Sequence, residues 1–128
     1  MSSIASIALS GLQAAVKRVA VSADNLVNAR TGRAVEVEGT TPKGVFEPRE
    51  VVQISLENGG VRAEVRPVTP ATQLVGDADS PTGTAAFPNV DLATEIVNQR
   101  LAVRDYKASI RILETENEMF DALLDIKS

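Results

Sequence analysis

The chain has 128 residues, 44% of them hydrophobic and only 3% aromatic, which fits one domain with a modest core built from Val, Ile, Leu and Ala. Its net charge of −4 comes from 13 Lys and Arg against 17 Asp and Glu, without the basic cluster a nucleic-acid footprint needs. With no cysteine, disulfides, thiolate metal sites and cysteine nucleophiles are excluded.

The first predicted element is a helix from about Ser3 to Ala29. Ala5, Leu9, Leu12, Val16, Val19, Ala23 and Leu26 follow alternating spacings of four and three, the repeat of a coiled-coil seam. Asn28-Ala29-Arg30-Thr31-Gly32 supplies the stop, because glycine takes the left-handed conformation that ends helices. No run reaches the ~18 consecutive apolar residues of a membrane span. Met1-Ser2-Ser3-Ile4-Ala5 also lacks the basic start of a secretory signal.

The middle, about Gly32 to Pro88, holds most of the Gly and Pro. Val52, Ile54 and Leu56 alternate with polar residues, Asn58-Gly59-Gly60 marks a turn, and Val61, Ala63 and Val65 alternate again. This pattern predicts a β-hairpin. Pro67 and Pro70 end its second strand, and residues 69–88 read as an extended or mobile connection punctuated by Gly76, Pro81 and Gly83.

A second helix is predicted from Asp91, a good N-cap, to about Lys127. Leu92, Ile96, Gln99, Val103, Tyr106, Ile110, Leu113, Asn117, Phe120 and Leu124 form one four-three stripe. Leu101, Asp105, Ala108, Ile112, Thr115, Met119, Ala122 and Ile126 form another on the other side. The expected fold is therefore mainly α with a small β insert: N- and C-terminal helices in an antiparallel coiled-coil pair, with a β-hairpin and an extended linker between. Residues 1–31 and 91–128 make one discontinuous unit around an insert at 32–90. One partner helix covers one stripe but not both, and a contiguous apolar strip left over marks an interaction surface.

These residues resemble the axial proteins of the bacterial flagellum. Ala8-Leu9-Ser10-Gly11-Leu12-Gln13-Ala14 is similar to the family's "ASGLxA" opening, and Val21 to Ala29 to its "SxNIANxNT" signature. Phe87-Pro88-Asn89-Val90-Asp91, followed by Glu95-Ile96-Val97, resembles the "yPNVd…EMV" block of FlgC-type proximal rod proteins. Arg104 to Ser109 is similar to "xRAYxAN", with serine in place of the final Asn, and Arg30-Thr31-Gly32-Arg33 differs from the usual "NTxGY".

The resemblance implies a structural basal-body subunit of the periplasmic rod. Such a subunit polymerises with itself and other rod proteins through its terminal helices, and leaves by the flagellar type III export apparatus without signal cleavage. Its subunit-packing residues would be Leu9, Leu12, Val16, Val19, Leu26, Ile96, Val103, Tyr106, Ile110, Leu113, Phe120 and Leu124, with Ile112, Met119 and Ile126 on the second stripe. Gly11, Asn25, Asn28, Pro88, Asn89 and Val90 carry the motifs. The alternative is a soluble cytosolic two-helix adaptor or export chaperone.

Chemistry has little to work with. No His or Cys is present, so Ser10 and Ser22 lack the partner a conventional triad needs. Glu114, Glu116 and Glu118 fit a solvated helix face. Asn25 and Asn28 suit either contacts between subunits or ordinary capping of a helix end. No catalytic, cofactor, metal or small-molecule site is expected, nor any membrane span or nucleic-acid partner.

Overall fold

The computed structural model describes residues 4–127. Helix α1 spans Ile4–Asn28 and helix α2 spans Leu92–Lys127. Between them lie β1 (Arg33–Ala34), β2 (Arg49–Ser55), β3 (Val61–Pro67), β4 (Thr72–Gly76) and β5 (Thr84–Pro88). Strands β2 and β3 form one sheet, and β1, β5 and β4, in that order, form another, every pairing antiparallel. Two terminal helices with a small β region between them match the expectation.

The helix ends follow from local chemistry. Thr31 donates both its N–H and its hydroxyl to the Asn28 carbonyl, closing α1. Asp91 caps α2: its Oδ1 accepts from the N–H of Ala93 at 2.9 Å and of Thr94 at 3.3 Å, and its Oδ2 from the Thr94 hydroxyl. The Thr94 N–H first, then its hydroxyl and the Ala93 N–H, hold the Asp91 carboxyl below the ordinary carboxylate range.

The hairpin is present, in a register the alternation did not give. Ser55 pairs with Val61, and the Leu56 N–H donates to Gly60 O, so the loop is longer than a two-residue Asn-Gly turn. Val52 therefore opposes Glu64 and Ile54 opposes Arg62, while Val51 opposes Val65. Opposite residues share a face, so the two apolar runs fall on different faces of the ribbon.

The connection expected at residues 69–88 is corrected. Its two halves are β4 and β5, paired from Thr72 with Pro88 to Gly76 with Thr84. β5 also pairs with β1 through Arg33 with Ala86 and Ala34 with Ala85. Ala85, Ala86 and Val35 are buried there, and Ser80 and Thr82 both donate hydroxyls to the Val35 carbonyl. Adjacent Leu74 with Val75 and Ala85 with Ala86 give no apolar–polar alternation, so these strands do not stand out.

Helix α1 packs against both α2 and the hairpin. In length and mean hydropathy it also reaches what a membrane span needs, although its apolar residues are interrupted by Lys17, Arg18 and Asp24.

Candidate assembly surface

The contact between the helices is made by small and polar side chains. Gly11, Arg18 and Asn25, seven residues apart, meet Ser109, Asp105 and Glu95 in turn. Ala8, Ala15 and Ser22 are buried beside them on α1, and Ala102, Ser109 and Glu116 on α2. A Cβ added at Gly11 would come within 2.7 Å of Ser109 Oγ. Two helices approach that closely only where neither carries bulk. Arg18 Nη1 lies 2.7 Å from Asp105 Oδ2, with the arginine side chain 17% exposed.

Asn25 ties three elements together. Only 1% exposed, it donates at 2.7 Å to both Glu95 Oε1 and the Arg49 carbonyl, and its Oδ1 accepts the Arg49 N–H at 3.1 Å. Arg49 in turn pairs with Asp24. Asn28 stays local, donating to the Asp24 carbonyl at 2.9 Å. Of the two roles open to these asparagines, Asn28 is a helix-end residue and Asn25 joins α1, α2 and β2 within one chain.

The next stripe of α1 holds the hairpin. Ser10 Oγ donates to the Ile7 carbonyl and accepts the Val61 N–H at 3.0 Å, and Lys17 donates to the Ala63 carbonyl at 3.0 Å. The hairpin thus covers α1 and leaves most of α2 bare. A crevice of about 240 Å³ remains where Arg18, Ser22, Arg49, Glu95 and Asn98 meet; both of its arginines have carboxylate partners.

The motif at the strand–helix junction is equally structural. Pro88 is fully buried, and Asn89 donates its side chain to the Pro70 carbonyl and its N–H to the Ala71 carbonyl, both at 2.9 Å. Val90, half-buried, donates its N–H to the Pro88 carbonyl and leads into the Asp91 cap. The start of α2 is thereby fixed to the sheet.

The expected seam needs correcting. Leu9 and Val16 on α1 are exposed, and Leu12, Val19 and Leu26 are half-buried. On α2, Ile96, Val103, Tyr106, Phe120 and Leu124 are exposed, and Ile110 and Leu113 half-buried. The second stripe is exposed at Leu101, Ile112, Met119 and Ile126. The intramolecular contact runs between the two stripes along Ala102, Ser109 and Glu116, with Ile110 and Leu113 half-buried at its edge, while Leu101, Ile112 and Met119 on one flank and Val103, Tyr106 and Phe120 on the other remain exposed. Bulk alone marks the large side chains as the seam; close packing of small ones outweighs it here.

Towards its end α2 carries its apolar side chains largely exposed. Ile4 lies beside Ile112, Thr115 and Met119, so the last turns of α2 extend beyond the first described residue of α1. Phe120, Leu123 and Leu124 are each more than half exposed there, and Ile126 is 82% exposed. Arg18, Asp105, Glu95 and Ser109 went unmarked as functional in the sequence. The signal that finds them is the seven-residue spacing of small and polar residues, read in place of the large ones.

The family model described as "Flagellar basal body rod FlgEFG protein C-terminal" matches residues 82–126. Over longer spans, the chain is 32% identical to the flagellar basal-body rod protein FlgC of Yersinia enterocolitica across 118 residues, 88% of this chain and 87% of that one. It is 34% identical to the FlgC of Salmonella typhimurium across 122 residues, with the same coverage. The chain belongs to the FlgC family of flagellar basal-body rod proteins. The FlgC match spans 88% of the chain, and the shorter C-terminal match takes in the Pro88-Asn89-Val90-Asp91 junction and α2 up to Ile126.

Proposed function

We propose that this chain is a structural, non-enzymatic subunit of the flagellar basal-body rod, which packs against copies of itself and other rod proteins through its terminal helices. The observation that carries the reading is the pair of uncovered apolar flanks on α2, with Leu101, Ile112 and Met119 on one side and Val103, Tyr106 and Phe120 on the other. Burying each of the larger of these in a neighbour is worth about 1.5–3 kcal/mol. Leu9, Leu12, Val16, Val19, Leu26, Ile96, Ile110, Leu113, Leu124 and Ile126 complete the packing surface.

The same reading makes the helices an antiparallel coiled-coil pair, supported by contact partners that fall along α2 as they rise along α1. Residues 1–31 and 91–128 then form one unit, with 32–90 its insert. Family membership supports a periplasmic location and passage through the flagellar export apparatus without cleavage.

Tagging the turn at residues 77–83 and fractionating cells tests the reading. The tagged chain is expected with detergent-extracted basal bodies; recovery only in the soluble fraction, in motile cells, overturns it.

A further inference from the structure

We infer that the Gly11–Ser109 contact and the Arg18–Asp105 pair set the rotation of α2 about its own axis, and so decide which of its apolar residues the subunit displays. Why display matters rests on the rod reading above; the rotation itself does not.

The seam residues Ala102 and Ser109 have apolar neighbours on both sides: Leu101 and Val103, Ala108 and Ile110. One residue step on an α-helix is about 100° of rotation. A turn of that size in one sense would carry Val103 and Ile110 onto α1; in the other, Leu101 and Ala108. Either turn would bring a bulkier apolar side chain, Val103 or Leu101, to the contact, so the observed angle rests on features that oppose both.

Two features do. Room is the first. A methyl group at Gly11 would already meet Ser109 Oγ at 2.7 Å, and Ala15 and Ala102 are both 0% exposed. A valine or isoleucine in that seam would force the helices apart. Charge is the second. Rotation would take Asp105 from Arg18 and Glu95 from Asn25, stranding polar groups in a partly covered groove. The seam therefore excludes bulk by closeness and holds its angle by polar pairing, leaving Leu101, Ile112 and Met119 exposed on one side and Val103 and Tyr106 on the other.

Gly11, Arg18, Asp105 and Ser109 are positioning residues, and the absence of native cysteine makes an introduced thiol unique. Val103→Cys and Ile112→Cys place one probe on each flank. Their rates of modification by a small thiol reagent are measured on monomer whose helicity is verified by circular dichroism. With the native seam both thiols are expected to react fast. Gly11→Leu is expected to slow one of the two by about tenfold, because a thiol turned into the contact must wait for local opening, and to spare the other.

Should Gly11→Leu fail to fold, Arg18→Glu sets like charges together and is expected to produce the same asymmetry, with Asp105→Arg added to it restoring both rates. Two rates unmoved by these folded variants, or no restoration, overturn the inference. All of this is read on monomer. A chain with the expected rates that is missing from basal bodies would defeat the rod reading alone, and a rod component with insensitive rates would defeat only this one.

Discussion

All three side-chain hydrogen bonds of Asn25 leave the helix that carries it. Asn25→Ala strands the Arg49 N–H and the Glu95 carboxylate, and is expected to lower stability by about 1–3 kcal/mol, measured by denaturant unfolding. Asn28→Ala should cost less, since it bonds only within its own turn. The sequence left both between contacts across subunits and ordinary helix-end capping, and in the structure Asn28 bonds within its own turn. Sequence could not reveal the partners of Asn25, which lie 24 and 70 residues away along the chain.

Asp91 was legible, because a cap is a local device. Its carboxyl, and that of Glu64 beside Arg66 and Arg62, sit below their ordinary values of 3.8 and 4.5 in the folded chain. A lowered folded value contributes stability that is complete above the unfolded value and lost as pH falls through the folded one. Acid titration followed by circular dichroism should therefore show stability falling below pH 4.5 through Glu64 and further below 3.8 through Asp91, and Asp91→Asn should remove the second part of that loss.

Among the elements, the hairpin shows how pattern and register part company. Both apolar runs and the turn signal were correct, yet the longer loop from Leu56 to Gly60 puts the runs on opposite faces. Gly60 is held at φ +87, and a Cβ there would lie 2.6 Å from Ser10 Oγ. Gly60→Val is expected to cost at least about 1–2 kcal/mol from the left-handed backbone alone, and thermal unfolding checks it. Ser10→Ala removes the acceptor for the Val61 N–H, and should loosen the hairpin tip by about 1 kcal/mol in the same assay. Helices α1 and α2 were legible because periodicity over many residues is a strong signal. Strands β4 and β5 were not, because Leu74 and Val75, and Ala85 and Ala86, stand side by side and give no apolar–polar alternation.

At the scale of the whole molecule, the sequence made clear that there is more apolar helix surface than one chain covers. What it left open was which surface is spent inside, and the answer depends on how closely two backbones approach, a quantity no stripe of large residues records. Ile112→Asp and Met119→Asp test the consequence. Both positions are exposed, so monomer stability should stay within about 0.5 kcal/mol of the parent while recovery with basal bodies falls sharply. Equal losses in both measurements would place these side chains in the fold.

The pairing of β1 with β5 brings residues 34 and 85 across from one another, six residues after one helix and seven before the other. Neighbouring strands sit about 5 Å apart, so the whole excursion from 36 to 83 begins and ends at a single narrow gate. Doubling the length of a flexible loop closed at such a gate costs only about 0.6 kcal/mol. A few residues inserted in the turn at 77–83, away from the hairpin bonds to α1, would thus leave the pairing of the two helices in place.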